Sequence, residues 1–156
     1  MKKLSNITYG VNILLTAMVA GLMFYYSFFL GGYYDFLLEN NYTDGLSVYI
    51  SQFKESLGSS VSIRLLILQL IIAAVALIFN LKKKLLPGLI LALLAPVVLM
   101  ILHFGTGFSY TEDSITYGTD LGPENIEFFL KVNVPYHIAY MICYGIAALW
   151  LIFQKK

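Results

Sequence analysis

The residues that can do chemistry in this chain are few, and they gather at one depth. The two histidines, His103 and His137, each lie near one end of a long apolar run. Arg64 sits about one turn into another such run, Asn133 leads into the last one, and Asp35 follows the first. Imidazole ligates zinc, copper and iron, and it accepts or gives a proton near neutral pH. One chemistry is therefore a haem or a transition metal held by His103 and His137, with Asp35 as the third metal ligand and Glu112 or Asp113 as other carboxylates in range. A second is an anionic or quinone-like small molecule held by Arg64 and the histidines, which then serve as acid and base. A third reading is structural: these groups satisfy one another and nearby carbonyls, and so hold helices in register.

Spacing adds a direction. Asn133, His137, Tyr140 and Tyr144 fall at i, i+4, i+7 and i+11, which is one face of an α-helix. A helix in hydrocarbon gains nothing from aligning four hydrogen-bonding side chains unless that face meets protein, water or a ligand. Arg64, His103, Asn133, His137, Tyr140 and Tyr144 are thus the candidate ligand-binding set. No residue is assignable as catalytic, since nothing resembles a phosphate loop, a serine nucleophile elbow or an HExxH pair.

The elements that must position this set are membrane spans. Of 156 residues, 59% are hydrophobic and 12% charged, far from the composition of a soluble domain. A net charge of +1 gives no sign of a nucleic-acid partner. The single cysteine, Cys143, excludes an intrachain disulfide and a CxxC redox pair. Four stretches are long enough to cross a bilayer: about 7–30, 61–81, 85–104 and 134–153. The first follows Lys2 and Lys3 but is too long for a secretory h-region, and Ala17-Met18-Val19-Ala20 makes a poor cleavage site, so it reads as a retained anchor. It carries a polar stripe of its own: Tyr9, Asn12, Thr16, Ala20, Met23 and Ser27. Ala17 and Gly21 form a small-xxx-small pair for close helix packing. Pro96 should release the carbonyl of Ala92 in the third span, and Pro135 should interrupt or start the fourth.

Charge orients the spans. Seven of the ten basic residues, Lys2, Lys3, Lys82, Lys83, Lys84, Lys155 and Lys156, fall on one side, and all nine acidic residues fall on the other. The positive-inside rule makes both termini cytoplasmic, in the cell (inner) membrane. Arg64, His103, Asn133 and His137 then share the outer leaflet, and the two long connections lie outside. In the first, Gly31-Gly32-Tyr33-Tyr34-Asp35 marks a break. After it, Leu46, Ile50, Phe53 and Leu57 recur at helical spacing, predicting a short amphipathic helix over about 46–57 that lies in the membrane interface, capped by Thr43 or Asp44 and ended by Gly58. In the second, Phe108 to Tyr117 reads as a small hairpin, and Pro123 opens a short helix through Phe129.

The fold class expected is an all-α membrane protein, an antiparallel four-helix transmembrane bundle with two structured outer loops, forming a single domain over 1–156. Four spans in a chain of this length, the glycine and aromatic-rich turn Gly21-Leu22-Met23-Phe24-Tyr25-Tyr26-Ser27, a long outer loop with its own helix, and Asn133 leading into the fourth span together resemble the anthrone oxygenase-like membrane family. That resemblance implies the four-span architecture and a role for Asn133. The family's fourth helix has a tryptophan before the asparagine and an arginine after it, where this chain has Phe128, Phe129 and His137.

Two functions fit these observations. One is a small-molecule or cofactor binder with an outward-facing polar chamber, an oxidoreductase among the options. The other is a structural or accessory subunit, of assembly or immunity type, in a homo-oligomer or larger membrane complex. The lipid bilayer is the one partner common to both. The lysine distribution makes the orientation directly testable. In intact cells, cysteines placed at Lys83 and Lys156 are shielded from an impermeant thiol reagent, and ones at Asp44 and Asp120 are labelled. Labelling at Lys83 would reverse the orientation.

Overall fold

The computed structural model describes residues 2–53, 59–81 and 86–154, and among these every regular element is helical. Helix α1 comprises Lys2–Tyr25, a π-helical turn Tyr26–Leu30 and a further α-helical stretch Gly31–Glu39. Helix α2 is built from Thr43–Gly45, a second π turn Leu46–Ile50 and Ser51–Phe53. Helices α3 (Ser59–Asn80), α4 (Leu86–Gly105), α5 (Phe108–Tyr117) and α6 (Pro123–Phe153) follow. Four helical stretches, Lys3–Glu39, Ser62–Asn80, Leu86–Gly105 and Pro123–Phe153, are long and apolar enough to cross a membrane. The lysine turn at 82–84, the terminal lysines, and 54–58 of the first outer connection lie outside the described residues.

The long helices pack in a closed order: α1 on α3 and α6, α4 on α3 and α6. Polar contacts pin their relative heights. Ser5 donates to Asn80 Oδ1 at 2.8 Å, joining the start of α1 to the end of α3. The Tyr9 hydroxyl donates to the Leu151 carbonyl near the end of α6. Gln154 accepts from the Gly88 amide at 3.0 Å, which satisfies a backbone donor in the first turn of α4. At the opposite end Asn133 donates to the Gly31 carbonyl at 3.2 Å. Gly31 is needed there, because a Cβ would stand 2.9 Å from the backbone carbonyl oxygen of Tyr26 in the π turn. The expected stripe on α1 is the buried one: Tyr9, Asn12, Thr16, Met23 and Ser27 all face inwards.

Pro96 behaves as its chemistry requires. It stands inside α4, and the Ala92 carbonyl that it leaves without an amide accepts from Gln69 Nε2 at 3.1 Å. Pro135, in contrast, does not break α6, which runs unbroken for 31 residues, so the separate short helix ending at Phe129 is not formed. The carbonyl that Pro135 frees belongs to Lys131, an exposed residue, where solvent can replace the bond. At about 46 Å, α6 is longer than the ~30 Å of a hydrocarbon core.

Three further expectations are corrected. Gly31–Asp35 is no break: the π turn before it shifts the helical face by an extra residue, and Tyr34, Leu37 and Leu38 then have a buried side to occupy. The chain turns only at Asn41, whose φ of 57° is the left-handed geometry asparagine tolerates. Phe108–Tyr117 is a helix, not a hairpin. Gly107 and Gly118, with φ of 81° and 65°, bracket it, and Phe108, Thr111, Glu112 and Ile115 recur at helical spacing on its buried face. The segment expected in the interface is helical through Phe53, but Leu46 and Ile50 bury against protein. They join Tyr34, Leu37, Phe108, Ile115 and Phe129 in one apolar cluster that caps the end of the bundle. The Ala17 and Gly21 pair is exposed, and among the described residues a Cβ added at Gly21 would meet nothing within 4 Å.

Candidate functional site

Beneath that cap lies a layer of side chains drawn from α1, α4, α5 and α6. The π turn of α1 presents Tyr26. Its hydroxyl donates to Glu112 Oε1 on α5 at 2.7 Å, and its ring stacks on His137 of α6 with centroids 3.8 Å apart and planes 16° apart. Glu112 also faces His103 of α4, with 3.9 Å between Oε2 and Nε2. The Glu112 side chain is 7% exposed and that of His103 22%, so the layer reaches the surface through His103. Phe108, fully buried, packs edge-on to both imidazoles at 5.5 and 5.8 Å.

Below the glutamate, Asn133 organises the second half of the layer. Its Nδ2 donates to Asp35 Oδ1 at 2.9 Å as well as to the Gly31 carbonyl. His137 Nδ1 is 2.7 Å from the Asn133 carbonyl. A carbonyl only accepts, so Nδ1 carries a proton and Nε2 is the position at which this ring exchanges one. Tyr140 meets His137 edge-on at 5.3 Å. The hydroxyls of Tyr140 and Tyr144, and Oδ1 of Asn133, are buried with no hydrogen-bond partner among the described residues.

The structure thus brings together five of the residues singled out by sequence: His103, Asn133, His137, Tyr140 and Asp35. Tyr144 lies one turn further along the same face, in the apolar cluster of Val19, Met23, Ala95, Leu99 and Tyr140. Arg64 is the exception. It is exposed on α3 and takes no part in the contacts of the layer. The residues proposed for a metal are placed as follows. Asp35 is held by Asn133 while His103 faces Glu112, and among the described residues no three His, Cys, Asp or Glu side chains converge as ligands. A haem between His103 and His137 fits poorly, because the Phe108 ring packs against both imidazoles.

Sequence reasoning missed Tyr26 and Phe108, and offered Glu112 only as an alternative metal ligand. A helical reading of 108–117 places Phe108 and Glu112 on one face and would have found them. Tyr26 depends on the π turn, which leaves no comparable mark in the sequence. Comparison of the chain with protein-family models, with characterised proteins and with solved structures finds no match.

The double donation by Asn133 makes a graded prediction. Asn133→Ala leaves the Gly31 carbonyl and Asp35 without their donor and costs about 1–3 kcal/mol. Asn133→Asp, which sets a second carboxyl against Asp35, costs more. Melting in detergent, followed by circular dichroism, checks the order; equal losses would show that the Asp35 contact carries no weight.

Proposed function

We propose that this chain is an antiparallel four-helix bundle of the cytoplasmic membrane with both ends inside, and that its outer layer binds an amphipathic small molecule with a planar, quinone-like head. The carrying observation is the Tyr26 ring stacked on His137 while its hydroxyl bonds Glu112. Aromatic faces suit a planar ring, and Glu112, His103 and His137 supply proton donors and acceptors for carbonyl or hydroxyl groups on it.

Energetics support a binding role over a purely structural one. Hydrogen bonds between membrane helices return only ~0.6 kcal/mol each on average, against several kcal/mol for a polar group left unsatisfied in hydrocarbon. Stability alone is a thin reason to collect two histidines, two carboxyls and a tyrosine in one layer. The heights fixed by Ser5–Asn80, Tyr9–Leu151 and Gly31–Asn133 support the antiparallel arrangement. The resemblance to the anthrone oxygenase-like family lends weight to the four-span architecture and to Asn133, which is fully buried at the centre of the layer.

The accessory-subunit reading draws on one feature. Phe24, Tyr25, Phe28 and Phe29 are exposed around the π turn, with ring pairs at 4.9 and 5.6 Å. Such a patch suits either a neighbouring subunit or the headgroup layer.

Menadione and its quinol are suitable probes for the first reading. At a hundredfold excess over Kd, a bound probe adds about 2.7 kcal/mol and raises the melting temperature by roughly 5–10 °C for a chain of this size. His137→Ala should remove the shift while the helical signal stays. No shift with either form of the probe would leave the accessory role as the better account.

A further inference from the structure

The polar side chains inside the bundle do not stop at the outer layer. On α6 the buried polar positions are Asn133, His137, Tyr140 and Tyr144, after which the inward face turns apolar with Ala147, Ala148 and Leu151. On α1 the order is reversed: Tyr9, Asn12 and Thr16 are buried near the start, and Val19 and Met23 occupy the same face further on. The contacts Tyr9–Leu151 and Asn133–Gly31 fix the two helices against each other. Through Tyr9 and Asn12, α1 therefore supplies polar groups at the heights where the inward face of α6 is apolar, and at the other end Tyr26 of α1 meets His137 of α6. α3 completes the line with Gln69 beside Thr16 at 3.4 Å, and with Asn80 bonded to Ser5 at 2.8 Å.

The five buried side-chain nitrogen and oxygen atoms without a hydrogen-bond partner among the described residues all lie on this line. They are Asn12 Nδ2, Gln69 Oε1, Tyr144 Oη, Tyr140 Oη and Asn133 Oδ1. Buried polar atoms are costly unless something pairs with them, and leucine or alanine at these positions would have avoided the need. The set mixes a donor, two acceptors and two hydroxyls that can do either. Water, which donates and accepts, is the molecule that satisfies such a set, and buried waters characteristically bond to otherwise unsatisfied groups.

We infer that this polar line is a proton path across the bundle, running from Tyr9 and Gln154 at the lysine-rich end, through waters at Asn12, Thr16, Gln69, Tyr144 and Tyr140, to His137, Glu112 and His103. A proton enters at one end of the chain, each hydroxyl or water accepts one proton on a lone pair and releases another onwards, and a proton leaves at the far end. No bond to carbon changes and no redox partner is needed. Asn and Gln do not relay protons; they hold the waters.

The test uses the purified full chain in phosphatidylcholine vesicles that enclose a pH-sensitive dye, with valinomycin and a potassium gradient to drive protons. The wild type should dissipate the gradient at least about tenfold faster than protein-free vesicles, and Tyr144→Phe should lower the added flux about tenfold, equal to ~1.4 kcal/mol on the barrier. Gln69→Leu should lower it similarly, and Arg64→Gln, at the exposed residue outside the line, should not. Gln69 also pairs with Ala92, so Gln69→Leu risks the fold. The Tyr144 hydroxyl has no hydrogen-bond partner among the described residues to lose, and Tyr144→Phe keeps the test sound. Wild-type flux equal to that of empty vesicles overturns the path, as does unchanged flux in folded Tyr144→Phe. Binding of menadione is measured separately, so either idea can fail alone.

Discussion

The capped half of this molecule depends on Tyr26 being held between Glu112 and His137. One hydroxyl and one ring face connect three helices: α1 through the tyrosine, α5 through the glutamate, α6 through the histidine. Such an arrangement needs Tyr26 on the inward side, although the buried face before it runs through Val19 and Met23 to Ser27. The π turn at Tyr26–Leu30 reconciles the two. It adds a residue to the turn, so that α1 keeps one buried face through Gly31, Tyr34 and Leu38 while Tyr26 still reaches the layer. π turns are costly local departures from α-helical bonding and are found mostly where a function uses the displaced residue.

The cap follows from the same constraint. Towards the capped end of the bundle, α1 and α6 carry Tyr34, Leu37, Leu38, Phe129 and Val132. Helices α2 and α5 cover them with Leu46, Ile50, Phe108 and Ile115. Where such a side chain leaves water on burial, the gain is roughly 1.5–3 kcal/mol each. The Tyr34 hydroxyl to Thr116 bond, 2.9 Å, and the Tyr26 to Glu112 bond then fix α5 in register over the layer. At the edge of the layer the His103 side chain is 22% exposed.

Much of this was legible in the residues themselves. Hydrophobic length located all four spans, and period 3.6 put Asn133, His137, Tyr140 and Tyr144 on a single inward face. The chemistry of proline pointed to the free Ala92 carbonyl that Gln69 satisfies. What was not legible has physical causes. Glycines at 31 and 32 look like a break, yet Gly31 is there because the π turn brings the Tyr26 carbonyl to 2.9 Å from where a Cβ would stand. Pro135 looks like a boundary, yet its lost bond falls in an exposed turn. The segment 108–117 is short, aromatic and polar, so strand and helix periods compete, and the left-handed glycines at both ends decide it. Depth placed Arg64 level with the histidines, but depth does not specify which way a side chain points.

The central claim is that the outer layer acts as one connected unit and not as a set of separate contacts. A double-mutant cycle across its shortest side-chain link tests this most directly, with Tyr26→Phe, Glu112→Ala and the double variant unfolded by SDS in mixed micelles. Groups in one network show coupling of about 0.5–3 kcal/mol, whereas independent sites add within roughly 0.3–0.5. The account predicts a coupling energy within the first range. Additive losses, with the double variant no better than the sum of the single ones, would contradict it.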